Sequence, residues 1–391
     1  MIYTLYYGGG DTTNYYESGV AIANLLDVDY HKFFDILYNG EIDKRIHYFT
    51  NETGFPVYKR DVHSAFVSRI IAVFTLVGFK AYIPTTILLS FVCFIGNWKL
   101  YVLFIEYFPK IQKELFIALL AIPSILFWGA GISKDTITLS ALGWYVYGFN
   151  KFFILKKDRI ISGIYLGIAS YLLIVIKPYI FFATLPGSVI WFFSDFTHRI
   201  GSKLIKFLIG PIFLSVAVLF SYYILLNFGE NLGQYSLDNV FNKASTTQKD
   251  FKNNEAYSKN SFDIGDFEPT LAGSLKKAHL AIAAGLFRPY LWDARNAVML
   301  LSALENTYIA LLTFFLLLRL KFFGFFFLIN KHPLLLFSFL FALFFAFAVG
   351  LSTANFGALV RLKIPCIPFF VASLFILKHL YQVKSGRKLG I

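Results

Sequence analysis

Long apolar runs joined by short basic connectors constrain this chain more than any other feature. A helix needs about 20 predominantly apolar residues to cross the hydrocarbon core of a bilayer. In lipid, every backbone N–H and C=O must also find its partner within a helix or a closed barrel. Apolar runs recur at residues 80–97, 115–128, 136–153, 160–176, 178–194, 204–226, 297–318, 334–350 and 359–380. They predict an all-α protein, a polytopic transmembrane helical bundle of about nine spans. The composition agrees: 57% of residues are hydrophobic and only 15% are charged, whereas soluble domains carry about a quarter charged residues.

The polar stretches divide the chain into four parts. Residues 1–79 form an external polar segment with interfacial helices, including 64–79, which is too short to span. Residues 80–228 hold transmembrane helices. Residues 229–296 form a long external loop that ends in a second interfacial helix over Leu275 to Trp292. Residues 297–391 hold the remaining transmembrane helices and a basic cytoplasmic tail.

Orientation follows from the distribution of Lys and Arg among alternate short connectors. One set (98–114, 151–159, 195–206, 319–331 and the tail from 378) carries 17 of them, while the other (129–135, 177 and 351–363) carries 4. The first set is therefore expected in the cytoplasm. The segments 1–63 and 229–296 then lie outside, and together they hold 17 of the 23 acidic residues. A net charge of +13 reads as this positive-inside bias, and nucleic acid is not an expected partner because the cations are scattered in short connectors. Cys93 and Cys366 sit alone within apolar runs, which argues against a disulfide framework or a zinc site.

The chain opens without the basic start and cleavable apolar stretch of a secretory signal. Either a first span is missing ahead of residue 1, or later helices carry the amino-terminal segment across. The expected location is a bacterial inner membrane, with the active face periplasmic or extracellular.

Five constellations fall on the expected outer side. In YYGGGDTTNYYESG, residues 6–19, glycines permit positive φ angles and close backbone approach. There Asp11 is either a general base or a helix N-cap, and Glu17 is a second acidic candidate. In PSILFWGAGISKDT, residues 123–136, Lys134 and Asp135 open a helix whose N-terminus favours an anion. The plainer alternative there is a hairpin in which Ser133 or Asp135 caps the second helix and Lys134 snorkels to the surface. Lys177 and Tyr179 flank Pro178 at a sharp break between apolar runs, where a cation needs a phosphate or carboxylate such as Glu305. In LFRPYLWDARN, residues 286–296, Arg288 and Arg295 suit phosphate, and Tyr290, Trp292 and Asp293 suit a sugar or serve as an interfacial anchor. In NFGALVRLKIPCIPFF, residues 355–370, Arg361 and Lys363 enter an apolar helix and point to a polar cleft.

These four short motifs, GGGDTTNYYESG, PSILFWGAGISKDT, FRPYLWDARN and VRLKIPCIPFF, within this layout resemble the C-type superfamily of integral-membrane glycosyltransferases. More loosely, they resemble bacterial surface-polysaccharide membrane proteins. The resemblance implies a polyprenyl-phosphate-linked sugar donor, a glycan or lipid-linked acceptor, and an acidic general base in the first external loop. It makes Asp11 that base, Glu17 its alternate, and the basic residues above the donor-phosphate ligands. No cofactor is implied, although some relatives use a divalent metal near the carboxylate. The chain departs from the family pattern in lacking a first span before Asp11 and an adjacent acidic pair. Two other readings stay open: a polymerase of O-antigen or capsule polysaccharide, and a transporter or flippase for lipid-linked glycan.

Overall fold

The computed structural model describes residues 9–198, 237–253 and 261–386, together with Ser215 and Leu219. The expected span at 204–226, apart from those two residues, lies outside the described residues, as do 229–236 and 254–260 of the expected loop. Tyr6, Tyr7 and Gly8 of the first motif and residues 387–391 of the tail also lie outside them.

The described residues are helical, with a single isolated β-bridge between Ser261 and Asn355. Among the described residues, four helices are long and apolar enough to cross a membrane: α4 (Tyr82–Tyr107), α8 (Arg159–Ile176), α13 (Ala297–Ile329) and α14 (Pro333–Ser352). A fifth arises if the pair α15 (Phe356–Leu362) and α16 (Ile367–Ser385), bent by 66°, is one broken span. The other helices are α1 (Asp11–Val28), α2 (Tyr30–Asn39), α3 (Val62–Val77), α5 (Gln112–Leu120), α6 (Pro123–Trp128), α7 (Lys134–Phe149), α9 (Pro178–His198), α10 (Leu237–Asn253), α11 (Leu271–Lys276) and α12 (Ala278–Phe287). The apolar run at 115–128 is divided between α5 and α6, and the run at 136–153 is α7 continued by a π-helical turn over Asn150–Ile154. The segment expected as an external loop, 229–296, contains α10, α11 and α12 among its described residues.

The chain forms two compact units. The first comprises residues 1–100, 125–148 and 160–178, and the second comprises 101–124, 149–159 and 179–391.

In the first unit the polar amino-terminal segment is a packed helical layer with its own core. α1 lies on α3 at Gly19, where an added Cβ would come within 2.8 Å of Ile71 and 3.3 Å of the Ala72 backbone. Ile22, Leu25, Phe33, Ile36, Phe49, Ala65 and Ala72 fill the space between α1, α2, α3 and the turn that precedes α3. α2 starts at Asp29, whose carboxylate accepts from the N–H groups of His31 and Lys32, and stops at Gly40 with φ 78°. Arg69, the one cation in α3, donates to the Leu37 carbonyl at 2.8 Å. It thereby satisfies a carbonyl that the end of α2 leaves open. α4 and α7 cross in backbone contact, since a Cβ on Gly143 would meet the Gly96 carbonyl at 2.2 Å.

In the second unit α12 and α14 cross through small residues four apart, Ala281 and Gly285 on one and Ala346 and Gly350 on the other. Such seams let helices approach closely where lipid supplies little hydrophobic drive. α16 packs against α5, α13 and α14, and its Phe369 meets the rings of Phe104, Phe337 and Phe341 edge-on at 5.0–6.2 Å. α13 departs from helical geometry at Lys321 (φ 57°), so its straight part ends close to the boundary at 318 expected from the sequence.

A Cβ on Gly350 would lie 1.9 Å from the Ala281 carbonyl, whereas one on Gly167 meets nothing within 4 Å. Gly350→Leu is therefore expected to destabilise the second unit by at least about 1–3 kcal/mol. Gly167→Ala should leave the thermal midpoint in detergent unchanged or slightly raised, as read by intrinsic fluorescence.

Candidate functional site

In the first unit, Asp61, Lys134, Asp135 and Lys177 pair around the start of α7. Ser133 caps that helix, with its Oγ accepting from the Thr136 N–H at 3.2 Å. Asp135 is thus released from the capping role and sits inside the first turn, 1% exposed. Its carboxylate is ion-paired with the ammonium of Lys177, which stands between α8 and α9. A phosphate or Glu305 was expected beside Lys177, and the partner in the structure is its neighbour across the unit, Asp135.

Lys134, the adjacent residue, turns to a different helix. Its Nζ lies 2.9 Å from Asp61 Oδ2, and Asp61 is the N-cap of α3, accepting from the N–H groups of His63 and Ser64. Lys134 therefore reaches a specific carboxylate instead of snorkelling into the interface. Burial acts to raise the Asp61 carboxyl, but hydrogen bonds from Ser64 and Lys134 and the nearby positive charge outweigh it and hold the group at about 2.

The network continues toward Asp11. The Ser64 hydroxyl donates to Asp61 and accepts from the Tyr15 hydroxyl at 3.1 Å. The Tyr15 and Tyr58 rings lie 4.4 Å apart at 31°, and the Tyr58 hydroxyl donates to Asp11 Oδ1 at 2.8 Å. Asp11 is the first residue of α1, with Gly10 (φ 126°) in the cap position, so it is not an N-cap. Glycine is needed there because that φ is costly for any other residue. Beside the network, His63 Nδ1 is 2.5 Å from the Val175 carbonyl, which ties the start of α3 to the last turn of α8. Glu17 is exposed and stands outside this chain of contacts.

Four of the residues singled out from sequence, Asp11, Lys134, Asp135 and Lys177, thus belong to one cluster, joined by the Tyr15–Tyr58 ring contact and by the adjacency of Lys134 and Asp135. Asp61, Tyr58, Ser64 and Tyr15 complete it. Asp61 had a readable signal, an aspartate immediately ahead of an apolar helical run. Tyr58 had none, because its contact is made across 47 residues.

The second unit holds the rest. Arg288 lies over the rings of Phe262 and Tyr290, at 5.0 and 5.3 Å to their centroids, and Tyr290 stacks on Trp292 at 4.9 Å. Trp292 is 81% exposed. Asp293 accepts from the Tyr290 N–H at 2.9 Å and so holds this turn in shape. Tyr179 stacks on Phe345 at 5.9 Å. Arg295 is exposed just before α13, and Arg361 is half-buried in the last turn of α15. Lys363, two residues later, is the buried one. It sits in the break between α15 and α16 and donates to the Arg288 carbonyl at 2.8 Å and to Asn306 Oδ1 at 2.6 Å. Glu305, next to Asn306, accepts from the Ser124 N–H and hydroxyl at 3.0 and 2.7 Å. Among the described residues, no group of three or more His, Cys, Asp or Glu side chains is gathered in a way that would hold a metal.

Comparison with protein-family models, curated proteins and solved structures gives no match to the chain. The network's chemistry is therefore read from its own residues, and two outcomes are expected. Lys177→Met should cost about 3–5 kcal/mol by stranding a buried carboxylate, and pairing it with Asp135→Leu should recover most of that loss; urea unfolding in detergent measures both. The second concerns pH. A carboxylate whose pKa is depressed on folding stabilises the folded state above its unfolded pKa of about 3.9, and that contribution disappears as pH falls through the folded value. The stability gap between wild type and Asp61→Asn should be constant above about pH 4 and close as pH approaches the folded pKa of about 2.

Proposed function

We propose that this protein is a multi-pass integral membrane glycosyltransferase of the C-type superfamily. In this reading it moves a sugar from a polyprenyl-phosphate-linked donor to an acceptor hydroxyl on the outer face of a bacterial inner membrane, during cell-surface glycan assembly. The observation that carries the reading is the network of the first unit. It leads from a carboxylate at a glycine-bounded helix start, Asp11, through hydrogen bonds and the Tyr58–Tyr15 ring contact to Asp61 and to Lys134 at a second helix start.

Asp11 is the general base. The acceptor oxygen attacks the anomeric carbon and its proton passes to Asp11, while the bond from that carbon to the phosphate oxygen breaks and the lipid phosphate leaves with the bonding pair. Tyr58 orients the Asp11 carboxylate through the hydrogen bond at 2.8 Å. Asp61 is a weak base, because a carboxyl held at about 2 has little affinity for a proton. Its role is to position Lys134, and Lys134 with the α7 N-terminus supplies positive potential for the departing phosphate. In the second unit, the stacked Arg288, Tyr290 and Trp292 form a surface suited to a sugar face or a phosphate, with Arg295 and Arg361 as further cations. The reading takes about nine spans and a cytoplasmic position for the basic connectors.

The test is turnover of purified, reconstituted protein with polyprenyl-phosphate sugars and a panel of glycan acceptors. Asp11→Asn should lower kcat by about 10²–10⁴-fold, Tyr58→Phe should lower it less, and the surface control Glu52→Gln should not change it. Full turnover in Asp11→Asn removes the proposed base. If Arg288 and Arg361 prove essential while Asp11 is dispensable, the polymerase reading replaces this one.

A further inference from the structure

A column of flat groups runs from the core of the second unit to its surface. Phe356 stacks on Phe262 at 5.2 Å and 29°. The Arg288 guanidinium lies over the rings of both Phe262 and Tyr290, and Tyr290 stacks on Trp292 at 4.9 Å and 29°. The column begins at Phe356 and Phe262, 3% and 6% exposed, and ends at Trp292, 81% exposed.

The backbone that carries the column is held by buried side chains. Lys363 donates to the Arg288 carbonyl and Asn306 to the Pro289 carbonyl, and the Phe262 N–H donates to the Ala354 carbonyl at 2.7 Å. A belt of aromatic side chains that only seats a helix at headgroup level needs no such fixed geometry. A receptor gains from it, because the ordering cost is met before the ligand arrives.

Charge then narrows the ligand. Arg288 is half-buried, and its guanidinium makes no hydrogen bond or ion pair among the described residues. Rings over its faces leave the N–H donors pointing outward from its edge, in a fork that matches a carboxylate. Arg319 also faces a ring, but Phe315 is one turn back on the same helix and Arg319 is exposed, so water serves its donors. Half-buried donors held in one plane call for an acceptor that the protein does not supply.

Trp292, one layer beyond Tyr290, offers its open ring to the apolar face of a sugar. A single sugar ring cannot reach both that face and the Arg288 edge, so the ligand has at least two sugar residues. The reaction proposed above has one departing phosphate, assigned to Lys134 in the first unit, and the anion at Arg288 is a different one. We propose that Arg288, Tyr290 and Trp292 bind an acidic oligosaccharide, with a uronate carboxylate on the guanidinium and a neighbouring sugar ring on Trp292. That the ligand is a glycan rests on the function proposed above.

Trp292 provides the readout. The protein is placed in phosphatidylcholine nanodiscs, and the Trp292 fluorescence is taken as the difference from Trp292→Phe. Tetramers of galacturonate and of mannuronate are titrated, each against its own methyl ester, which keeps the sugar and removes the charge. At least one acid should bind about tenfold or more tightly than its ester, the effect of one charge-assisted pair. Arg288→Gln should remove that preference while keeping the weaker binding of the ester, which shows the column intact, and Arg288→Lys should keep only part of it. Equal affinity of acid and ester for both sugars in the wild type overturns the proposal. So does quenching of Trp292 by brominated phosphatidylcholine that saturating uronate leaves unchanged, because the ring is then a membrane anchor. Displacement of the uronate by polyprenyl phosphate also overturns it, because the anion is then the donor's. Turnover of Asp11→Asn enters no arm of this measurement, so a failed base and a failed glycan site are told apart.

Discussion

The first unit depends on how two adjacent charges at the start of α7 are neutralised. An isolated ion in an apolar setting costs several kcal/mol even after relaxation, so Lys134 and Asp135 must each have a partner. They point to different ones: Lys134 to Asp61 at the start of α3 and Asp135 to Lys177 at the end of α8. Two consecutive residues thereby fasten three helix ends together. Because Asp61 also caps α3 and accepts from Ser64, the pairing sets where α3 begins, and α3 in turn is the floor on which α1 lies. The placement of Asp11 is thus a downstream consequence of a charge balance made some 120 residues further along the chain.

Much of what holds the helices together is not polar. Where hydrocarbon surrounds a helix pair, burying apolar area gains little, and close packing has to supply the attraction. The chain meets this with small residues at its crossings, Gly96 against Gly143 and Ala281 with Gly285 against Ala346 with Gly350. Its second unit adds interlocking phenylalanines, and this is one use to which its 47 Phe residues are put.

The sequence made the helical class and most apolar segments readable, because span length and apolarity are local properties. Breaks inside those segments were harder to see. The division at Ala121 and Ile122 and the 66° bend near Lys363 lie where proline follows, but proline alone does not say whether a span is kinked or cut. Pairing was largely invisible. Lys177 was marked as a cation in need of a partner, yet Asp135 looked equally suited to capping its own helix, and only the placement of Ser133 freed it. Tyr58 and Asp11 are joined across 47 residues by the antiparallel return of the chain, which no spacing rule encodes. Asp61 was readable as an N-cap ahead of an apolar run, but nothing local indicated that a lysine from α7 would meet it.

The cations within the apolar helices and at their breaks can be sorted by what neutralises them. Arg69 finds the Leu37 carbonyl at the end of α2, Lys177 finds Asp135, and Lys363 finds a carbonyl and an amide oxygen where α15 and α16 part. In each case an oxygen acceptor from the protein takes the charge, and the residue has a structural reason to be there. Lys99 and Arg319 face aromatic rings instead, Lys99 those of Trp144 and Tyr147 and Arg319 that of Phe315. A ring quadrupole attracts a cation but does not neutralise it. Lys99 lies in the connector 98–114, whose basic residues carry the bias from which the orientation is expected, so its charge has a reason that does not depend on a partner within the fold.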